Sequence, residues 1–423
     1  MIDVNILRNN PEVVKENFKR RDKDDSLLNQ FIKADRQWRE SLGELNELRR
    51  KRNNLSKEVA EMKQQKKSVE KKLAEMKELP KKISEFEKKT EELKNKLDNI
   101  LLLMPNILHD SVPKGKDEND NVVVRKWGKK PDIKNPKDHI DLGLALDLFD
   151  IERAAKISGS RFYFLKNEAV TLELVLAQFA TDLLKKKGFT LLIPPFLITK
   201  NAMQGAGWLP VGEEDIYMIQ REGLCLIGTS EQPLAGYHMN ETLTKDQLPK
   251  YYCGFSPCFR TEAGSHGRDT KGIFRVHQFE KIEMFIYSSP EDSWNEHEKL
   301  IKTAEEFQQK LGMHYRVVNV CSGEMGMVAA KKYDIEAWFP GQNKYREVVS
   351  CSNCTDYQAR RMNTKYAEKK GAEPKGFAHT LNSTALALGR TIVAIIENYQ
   401  REDGSIEVPK ALQKYTDFKE IAR

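Results

Sequence analysis

Apolar side chains recur every seven residues in two stretches of the first hundred residues, which is the spacing of coiled-coil helices. Two interleaved series run through the first stretch: Phe31, Trp38, Leu45 and Val59, and Leu48, Leu55 and Met62. Two more run through the second stretch: Met76, Ile83 and Leu97, and Leu79, Phe86, Leu93 and Ile100. Arg52 and Thr90 are polar exceptions to the series. The pattern predicts two long helices.

The polar segment 63–68 separates the two stretches and predicts a reversal of the chain. Two helices of about 35 residues at 1.5 Å per residue would form an antiparallel hairpin roughly 50 Å long. Pro80 lacks a backbone donor, so we expect a kink or a local break in the second helix. Before this arm, which spans about residues 27–104, residues 1–21 predict a short helix with Pro11 near its start.

A different pattern begins after the arm. Residues 110–136 are rich in Pro, Gly, Asn and charge, which predicts a linker that follows an N-terminal domain of residues 1–109. Within residues 137–423, helical patterns at 172–187 and 293–311 alternate with short apolar runs at 190–193, 281–287 and 315–320. This order predicts an α+β domain whose helices pack on an antiparallel sheet.

Positive charge is concentrated in the predicted arm. The 423-residue chain has 70 Lys and Arg against 63 Asp and Glu, a net charge of +7. Residues 27–105 contain 20 basic and 14 acidic side chains, so they hold nearly the whole surplus. Segregated positive charge suits a polyanion such as a nucleic acid. From charge and periodicity alone, a solvated helical face, a dimerisation rod and a protein-docking arm stay open.

The sequence favours a cytoplasmic protein. Its first ten residues resemble neither a signal peptide nor a transit peptide, and no apolar run reaches the roughly 18 residues of a membrane span. Six cysteines in a chain of this size fit reduced thiols. Cys351 and Cys354 form a CxxC pair, but no second pair of ligands stands at a suitable spacing, so we expect no zinc.

The candidate chemistry concerns phosphate. The chain has neither a GxGxxG motif after a strand nor a GxxxxGK[ST] motif, so phosphates must be held by side chains and metal. Arg260 and Glu262 stand before a predicted loop at 263–272, and Arg275 stands after it. Two arginines on adjacent strands can clamp a triphosphate because each guanidinium donates bidentately. On its own, an Arg-x-Glu sequence is more often an ordinary ion pair.

The segment from Phe259 to Glu283 resembles motif 2 of class II aminoacyl-tRNA synthetases, in the form seen in seryl-tRNA synthetases. Residues 172–196, with Pro195, resemble motif 1, which implies a homodimer. Residues 382–399, with Arg390, resemble motif 3, although Ala385 and Ala387 stand where other class II enzymes often have glycine. Residues 229–231 (Thr-Ser-Glu) resemble the TxE element that faces the amino acid, and residues 347–350 (Glu-Val-Val-Ser) resemble the segment that binds metal and ATP. The resemblance covers the whole chain, including the arm.

The resemblance implies a class II synthetase core that follows a tRNA-binding coiled-coil arm. It implies that the enzyme converts L-serine and ATP to seryl-adenylate and pyrophosphate, and then transfers serine to the 3′-terminal adenosine of tRNA(Ser). Whether tRNA(Sec) is also charged stays open. The implied catalytic residues are Arg260, Arg390 and Glu347. The implied serine-binding residues are Thr229, Glu231, Arg260, Glu283, Asn382 and Thr384. The implied ATP-binding residues are Arg260, Thr261, Glu262, Arg275, Val276, Phe279, Glu347, Val348, Val349, Ser350 and Arg390. Glu347 and Ser350 would also bind Mg²⁺.

Two other functions are compatible with parts of this pattern. A nucleic-acid-binding or scaffolding protein could retain an inactive synthetase fold, but Arg260, Glu262, Phe279, Glu347 and Arg390 are all present. A ligase that loads serine onto a carrier protein would be expected to lack the long arm. Both features favour the synthetase.

Overall fold

The computed structural model of the chain describes residues 1–263 and 271–423. Its contacts divide the chain into two compact units, one formed by Ile2–Met104 and the other by Pro105–Arg423 together with Met1. Most of the loop that was predicted at 263–272 lies outside the described residues.

The helices of the described residues are α1 Val4–Asn9, α2 Pro11–Arg20, α3 Ser26–Gln64, α4 Glu70–Leu103, α5 His139–Ala145, α6 Ile151–Ser158, α7 Glu168–Lys186, α8 Lys200–Gly205, α9 Glu231–Gly236, α10 Ser293–Lys310, α11 Tyr357–Met362 and α12 Leu388–Asn398. The strands are β1 Val122–Trp127, β2 Phe149–Asp150, β3 Phe164–Leu165, β4 Thr190–Leu192, β5 Leu197–Thr199, β6 Met218–Ile219, β7 Leu224–Leu226, β8 Thr242–Thr244, β9 Lys250–Phe259, β10 Gln278–Ser288, β11 Tyr315–Asn319, β12 Lys331–Phe339, β13 Lys344–Asn353, β14 Lys365–Ala367, β15 Gly376–Phe377, β16 His379–Ala387, β17 Ile406–Glu407 and β18 Glu420–Ile421.

The first unit contains the predicted helical hairpin. Helix α3 ends at Gln64 and α4 begins at Glu70, so the reversal falls where the polar segment predicts it. Cross-helix contacts run in opposite directions along the two helices: Arg49 pairs with Glu87 at 2.7 Å, and Lys72 pairs with Glu58. A buried seam is formed by the heptad positions Phe31, Leu45, Leu55 and Val59 of α3, and Leu79, Ile83, Leu97 and Ile100 of α4. The prediction of an antiparallel coiled-coil arm is confirmed.

The two polar residues that interrupt the heptad series differ in their burial. Thr90 is buried, and its hydroxyl is hydrogen-bonded to that of Ser41 at 2.8 Å, so the seam contains a satisfied polar pair. Arg52 is exposed. Helix α4 continues through Pro80, so the local break that proline predicts does not occur. Leu79 and Ile83 are buried on either side of it, and this packing offsets the missing backbone hydrogen bond.

The N-terminal segment forms two helices instead of the single one predicted. Asn10 interrupts them with φ −143° and ψ 52°, and Pro11 then begins α2 at a position where its missing N–H costs nothing. Within this unit, Arg8 of α1 contacts the buried carboxylate of Asp35 in α3 at 2.6 Å. The short helix α1 is therefore fixed to the base of the hairpin.

The second unit is built on an eight-stranded sheet with the order β1-β11-β12-β13-β16-β10-β9-β4. Neighbouring strands are antiparallel, except that β4 runs parallel to β9. Helices α7, α10 and α12 contribute to the core around buried residues such as Ile282, Phe307 and Ile395. The prediction of an α+β fold with an antiparallel sheet and packed helices is confirmed.

The stretch 110–136, which was predicted as a linker, also contributes to the sheet. Val122–Trp127 form the edge strand β1, which pairs with β11. The strand was missed because its partner lies almost 200 residues later in the chain, and no local pattern reports such a pairing. None of the helices in residues 1–263 and 271–423 has the length and apolar character that a membrane crossing requires.

Candidate active site

A cavity of about 530 Å³ opens on the sheet of the second unit. It brings together most of the site residues that the sequence predicted, from five stretches of the chain: 229–231, 260–262, 275–283, 347–350 and 382–390. Those that line it are Thr229, Glu231, Arg260, Glu262, Arg275, Val276, Phe279, Glu283, Glu347, Val348, Ser350, Asn382, Thr384 and Arg390. The side chains of Thr261 and Val349 do not line it. The Thr261 hydroxyl donates to the carbonyl oxygen of Glu214, and Val349 packs in the core.

Strand geometry places the residues of β10 in the cavity. Side chains alternate between the two faces of a strand, so Phe279, Lys281 and Glu283 share the cavity face. The pairing of β10 with β16 skips Ala385, and this bulge sets Thr384 directly opposite Glu283. The Thr384 hydroxyl consequently donates to Glu283 Oε2 at 3.4 Å.

Arg260 is held where β9 ends beside β10. Its backbone N–H donates to the carbonyl oxygen of His277, and its own carbonyl oxygen contacts His277 Nδ1, each at 2.9 Å. The guanidinium carbon lies 5.6 Å from the ring of Trp208 and 5.4 Å from the ring of Phe279. Its Nε donates to the carbonyl oxygen of Gly228 at 3.2 Å. Two rings and a backbone acceptor thus orient this cation in the cavity.

The two charged residues that flank the loop are paired with each other. Arg275 Nη1 lies 3.2 Å from Glu262 Oε2. The backbone of Glu262 has φ 55°, in the left-handed region that residues other than glycine seldom adopt. Backbone strain of this kind is concentrated at functional sites, where the surrounding structure maintains it.

Arg390 lies in the first turn of α12, which begins directly after β16 ends at Ala387. Its Nη1 donates to the carbonyl oxygen of Glu347 at 3.0 Å. Its guanidinium lies over Phe274, at 4.8 Å from the ring centre, and Arg346 lies over the same ring at 3.8 Å. The cavity therefore presents a stacked aromatic and cationic surface.

Carboxylate and hydroxyl oxygens meet on β12 and β13. Partial desolvation in the cavity opposes ionisation of Glu347, whose side chain is half exposed, but the charges of Arg390 and Lys332 outweigh it and hold the pKa of this carboxyl below its ordinary value. Ser350 is paired in register with Asp334, whose carboxylate lies 3.2 Å from Lys332 Nζ. An ionised carboxylate beside a hydroxyl is a donor set that suits a hard divalent cation.

The opposite end of the cavity is acidic and deeply buried. Glu283 is only 2% exposed, and Lys281 Nζ lies 2.6 Å from its Oε2. Burial, and then the nearby charge of Glu283, raise the pKa of Glu231 to about 7. The hydroxyl oxygen of Thr229 accepts from the backbone N–H of Glu231 at 3.1 Å. This end can receive a small ligand that carries a positive charge and a hydroxyl.

The structure adds residues that the sequence prediction did not include. Lys281, Lys332 and Trp208 line the cavity, and Arg346 stacks at its edge. The alternation along β10 was sufficient to find Lys281, because it stands midway between Phe279 and Glu283. No pattern distinguishes the other three in the sequence.

Comparison with known proteins gives matches over the whole chain. Residues 1–108 match the seryl-tRNA synthetase N-terminal domain, and residues 217–399 match the tRNA synthetase class II core domain (G, H, P, S and T). A serine–tRNA ligase of Pyrococcus furiosus is 50% identical, with 100% of this chain and 97% of that protein aligned. A crystal structure of seryl-tRNA synthetase from Pyrococcus horikoshii complexed with ATP has a TM-score of 0.94 at 49% identity, covering 100% of this chain and 99% of that one. The cytoplasmic serine–tRNA ligase of Naegleria fowleri in complex with AMP has a TM-score of 0.87 at 40% identity, covering 100% and 98% of the two chains. The chain therefore belongs to the seryl-tRNA synthetase family, with its class II core and its N-terminal domain.

Proposed function

We propose that this chain is an ATP-dependent ligase that activates L-serine to seryl-adenylate and transfers serine to the 3′-terminal adenosine of tRNA(Ser). The observation that carries the proposal is a single cavity with two carboxylates, the half-buried Glu231 and the buried Glu283, at one end and arginines at the other. The acidic end matches an ammonium and a hydroxyl, and the basic part matches a triphosphate.

In the first step, an oxygen of the serine carboxylate attacks the α-phosphorus of ATP and pyrophosphate leaves. No general base is required, because the carboxylate is already ionised at neutral pH. Arg260 binds the carboxylate and the α-phosphate together, which aligns the reacting atoms and offsets the charge that develops at phosphorus. Arg275 binds the γ-phosphate, and it must exchange its contact with Glu262 for the phosphate when ATP enters.

Adenine is bound by polar and stacking contacts. Glu262 accepts from the adenine amino group once Arg275 has moved to the phosphate. Phe279 provides one face of the adenine sandwich and Arg390 the other, a use of a planar cation that lysine does not reproduce. The side chains of Thr261 and Val349 point away from the cavity, so their contribution to ATP binding is limited to the backbone.

Glu347 and Ser350 would supply oxygen ligands for Mg²⁺. A bound Mg²⁺ would neutralise charge on the phosphates and on the leaving pyrophosphate. The depressed pKa of Glu347 keeps this ligand ionised at neutral pH, which fits a cation site. Arg390 orients the carboxylate, since its guanidinium lies 3.7 Å from Glu347 Oε1.

Serine is selected by hydrogen bonds. Glu231 and Glu283 receive its ammonium, and Glu283 with Thr384 receives its hydroxyl, while Thr229 and Asn382 complete the wall. A pocket that binds a hydroxyl in this way rejects alanine by about 10⁴-fold or more, because its buried polar groups would stay unpaired. In the second step, the 3′-hydroxyl of tRNA attacks the carbonyl carbon of the adenylate and AMP leaves.

The arm and motif 1 provide the macromolecular contacts of this function. The basic surplus of residues 27–105 suits the phosphates of tRNA(Ser). Leu174 of α7 and Ile193 after β4 are 67% and 74% exposed, and Phe196 lies exposed beside Pro195. Apolar side chains of this size on neighbouring elements mark a protein interface, which supports a homodimer through motif 1. Six buried cysteines without a disulfide partner in the described residues fit a cytoplasmic enzyme.

Amino-acid-dependent exchange of pyrophosphate into ATP tests the activation step. We expect exchange with serine, very little with alanine, and a small rate with threonine, which differs by one methyl group. Exchange that is equally fast with alanine would contradict the proposed recognition of the hydroxyl.

A further inference from the structure

Gln358 is a fully buried amide of α11 that contacts the serine end of the cavity. Its Nε2 donates to Glu231 Oε1 at 2.8 Å and to the carbonyl oxygen of Ala206 at 3.0 Å. Its Oε1 accepts from the hydroxyl of Thr380 at 2.7 Å. Both amide protons and the amide oxygen are therefore engaged.

The surroundings determine which way this amide points. The carbonyl oxygen of Ala206 can only accept a hydrogen bond, so the NH₂ end of Gln358 must face it. The same end then faces Glu231, while the Thr380 hydroxyl donates to the other end. Thr380 belongs to β16, the strand that also contains Asn382 and Thr384, so the amide ties the position of Glu231 to that strand.

This arrangement leaves one carboxylate oxygen of Glu231 for a ligand. Oε1 is occupied by Gln358, and residues 1–263 and 271–423 offer no donor to Oε2. The carboxylate also lines the cavity. We propose that Gln358 is a positioning residue for amino-acid recognition, which holds Glu231 so that its Oε2 receives the ammonium of serine. The inference deepens the proposed function and rests on it.

The charges around Glu231 agree with this role. Burial and the negative charge of Glu283 raise its pKa, while the charges of Lys281 and Arg260 and the hydrogen bond from Gln358 lower it. Cys354 also faces this carboxylate, but burial raises the pKa of its thiol, which stays neutral. An ammonium binds the ionised carboxylate, which is present above the pKa and is lost as the pH falls. Gln358 therefore favours the charge state that binds serine.

The test uses Gln358→Met in the full chain, which keeps the size of the side chain and removes its hydrogen bonds. We expect the KM for serine in pyrophosphate exchange to rise by about 10- to 100-fold, the effect of losing a hydrogen bond to a charged group. The KM for ATP should change by less than about threefold, because within residues 1–263 and 271–423 Gln358 makes its hydrogen bonds to Ala206, Glu231 and Thr380, and none to Arg260, Arg275 or Arg390.

Gln400→Met is the matched control. Gln400 is also buried and also makes three hydrogen bonds, to the backbone of Lys137 and Glu397, but it does not line the cavity. Gln400→Met should lower the thermal stability about as much as Gln358→Met does, and it should leave the KM for serine unchanged. Thr380→Val removes only the donor that orients the amide, and its effect on the KM for serine should be smaller and in the same direction.

The pH profile provides a readout that a purely structural role would not move. In the wild-type chain, the KM for serine should fall as the pH rises through about 7, where Glu231 ionises. In Gln358→Met this fall should occur at higher pH, because the lost hydrogen bond stabilised the ionised form.

Three results would overturn the inference: a KM for serine that Gln358→Met leaves unchanged, a parallel rise of the serine and ATP KM values, or an unshifted pH profile. Failure of the proposed function would appear elsewhere, as an absence of serine-dependent exchange in the wild-type chain, and it would overturn both proposals together.

Discussion

Replacement of Arg260 by alanine is the perturbation that the active-site geometry predicts most sharply. The guanidinium lies between Trp208 and Phe279 with its fork in the cavity, where it is proposed to bind the serine carboxylate and the α-phosphate. A hydrogen bond to a charged group contributes about 1.5–3 kcal/mol, so the loss of two such contacts costs about 3–6 kcal/mol. This corresponds to a decrease of roughly 10²- to 10⁴-fold in kcat/KM.

Serine-dependent exchange of pyrophosphate into ATP measures this loss directly. Arg260→Lys retains the charge without the planar fork, and we expect it to restore no more than about a tenth of the wild-type kcat/KM. Arg316→Ala is the control, since Arg316 also lies over a ring, that of Tyr345 at 4.5 Å, but does not line the cavity. If Arg260→Ala keeps more than about a tenth of the wild-type kcat/KM while remaining folded, the role assigned to Arg260 is wrong.

Four further predictions follow from separate parts of the chain. Glu347→Gln removes the charge of the proposed Mg²⁺ ligand. The Mg²⁺ concentration that gives half-maximal exchange should therefore rise by about tenfold or more. An unchanged Mg²⁺ concentration for half-maximal exchange would contradict the proposed site. Deletion of residues 27–105 leaves every residue of the cavity in place, so exchange should persist while serylation of tRNA is lost; unchanged serylation would refute the role of the arm. Thr90→Val leaves the buried Ser41 hydroxyl without its partner and should lower the free energy of unfolding of the arm by about 1–2 kcal/mol in thermal melts, whereas adding Ser41→Ala should recover most of the loss. Leu174→Glu places a charge on the proposed motif 1 interface and should yield monomers in light scattering. The control Val13→Glu, at an exposed position of α2, should leave the dimer intact. A dimer that survives Leu174→Glu would place the interface elsewhere.

Local periodicity was sufficient to predict the arm. The heptad series specify which faces of α3 and α4 meet, and the polar segment between them specifies the reversal. The burial of Thr90 in the seam could not be predicted from the sequence, because this polar residue is tolerated there only through its hydrogen bond to Ser41 of the other helix. Likewise, Pro80 predicts a break from backbone chemistry alone, but the packing of its neighbours maintains the helix.

The active site was predictable where a motif contains several residues with fixed spacing. Arg260 and Glu262, and likewise Glu347 and Ser350, are found this way, and they converge in the cavity. Lys332 and Gln358 were missed because each is a single residue outside the recognised motifs. The pairing of Gln358 with Glu231 joins residues 127 positions apart, and no spacing in the sequence reports it.

The stacking contacts of the arginines could not be predicted from the sequence either. Arg390 is proposed to cover one face of adenine opposite Phe279, and the structure places its guanidinium over Phe274. The direction of an arginine side chain depends on the first turn of α12 and on the carbonyl oxygen of Glu347, to which it donates. Neither contact is a property of the local sequence.

Aminoacylation of total tRNA, assayed separately with each amino acid, is the most direct test of the central claim that this cavity activates serine for transfer to tRNA. We predict that serine alone is esterified to tRNA, and that only the serine-accepting fraction becomes charged. Charging with alanine or threonine at a rate comparable to serine, or formation of seryl-adenylate without any charged tRNA, would contradict the account.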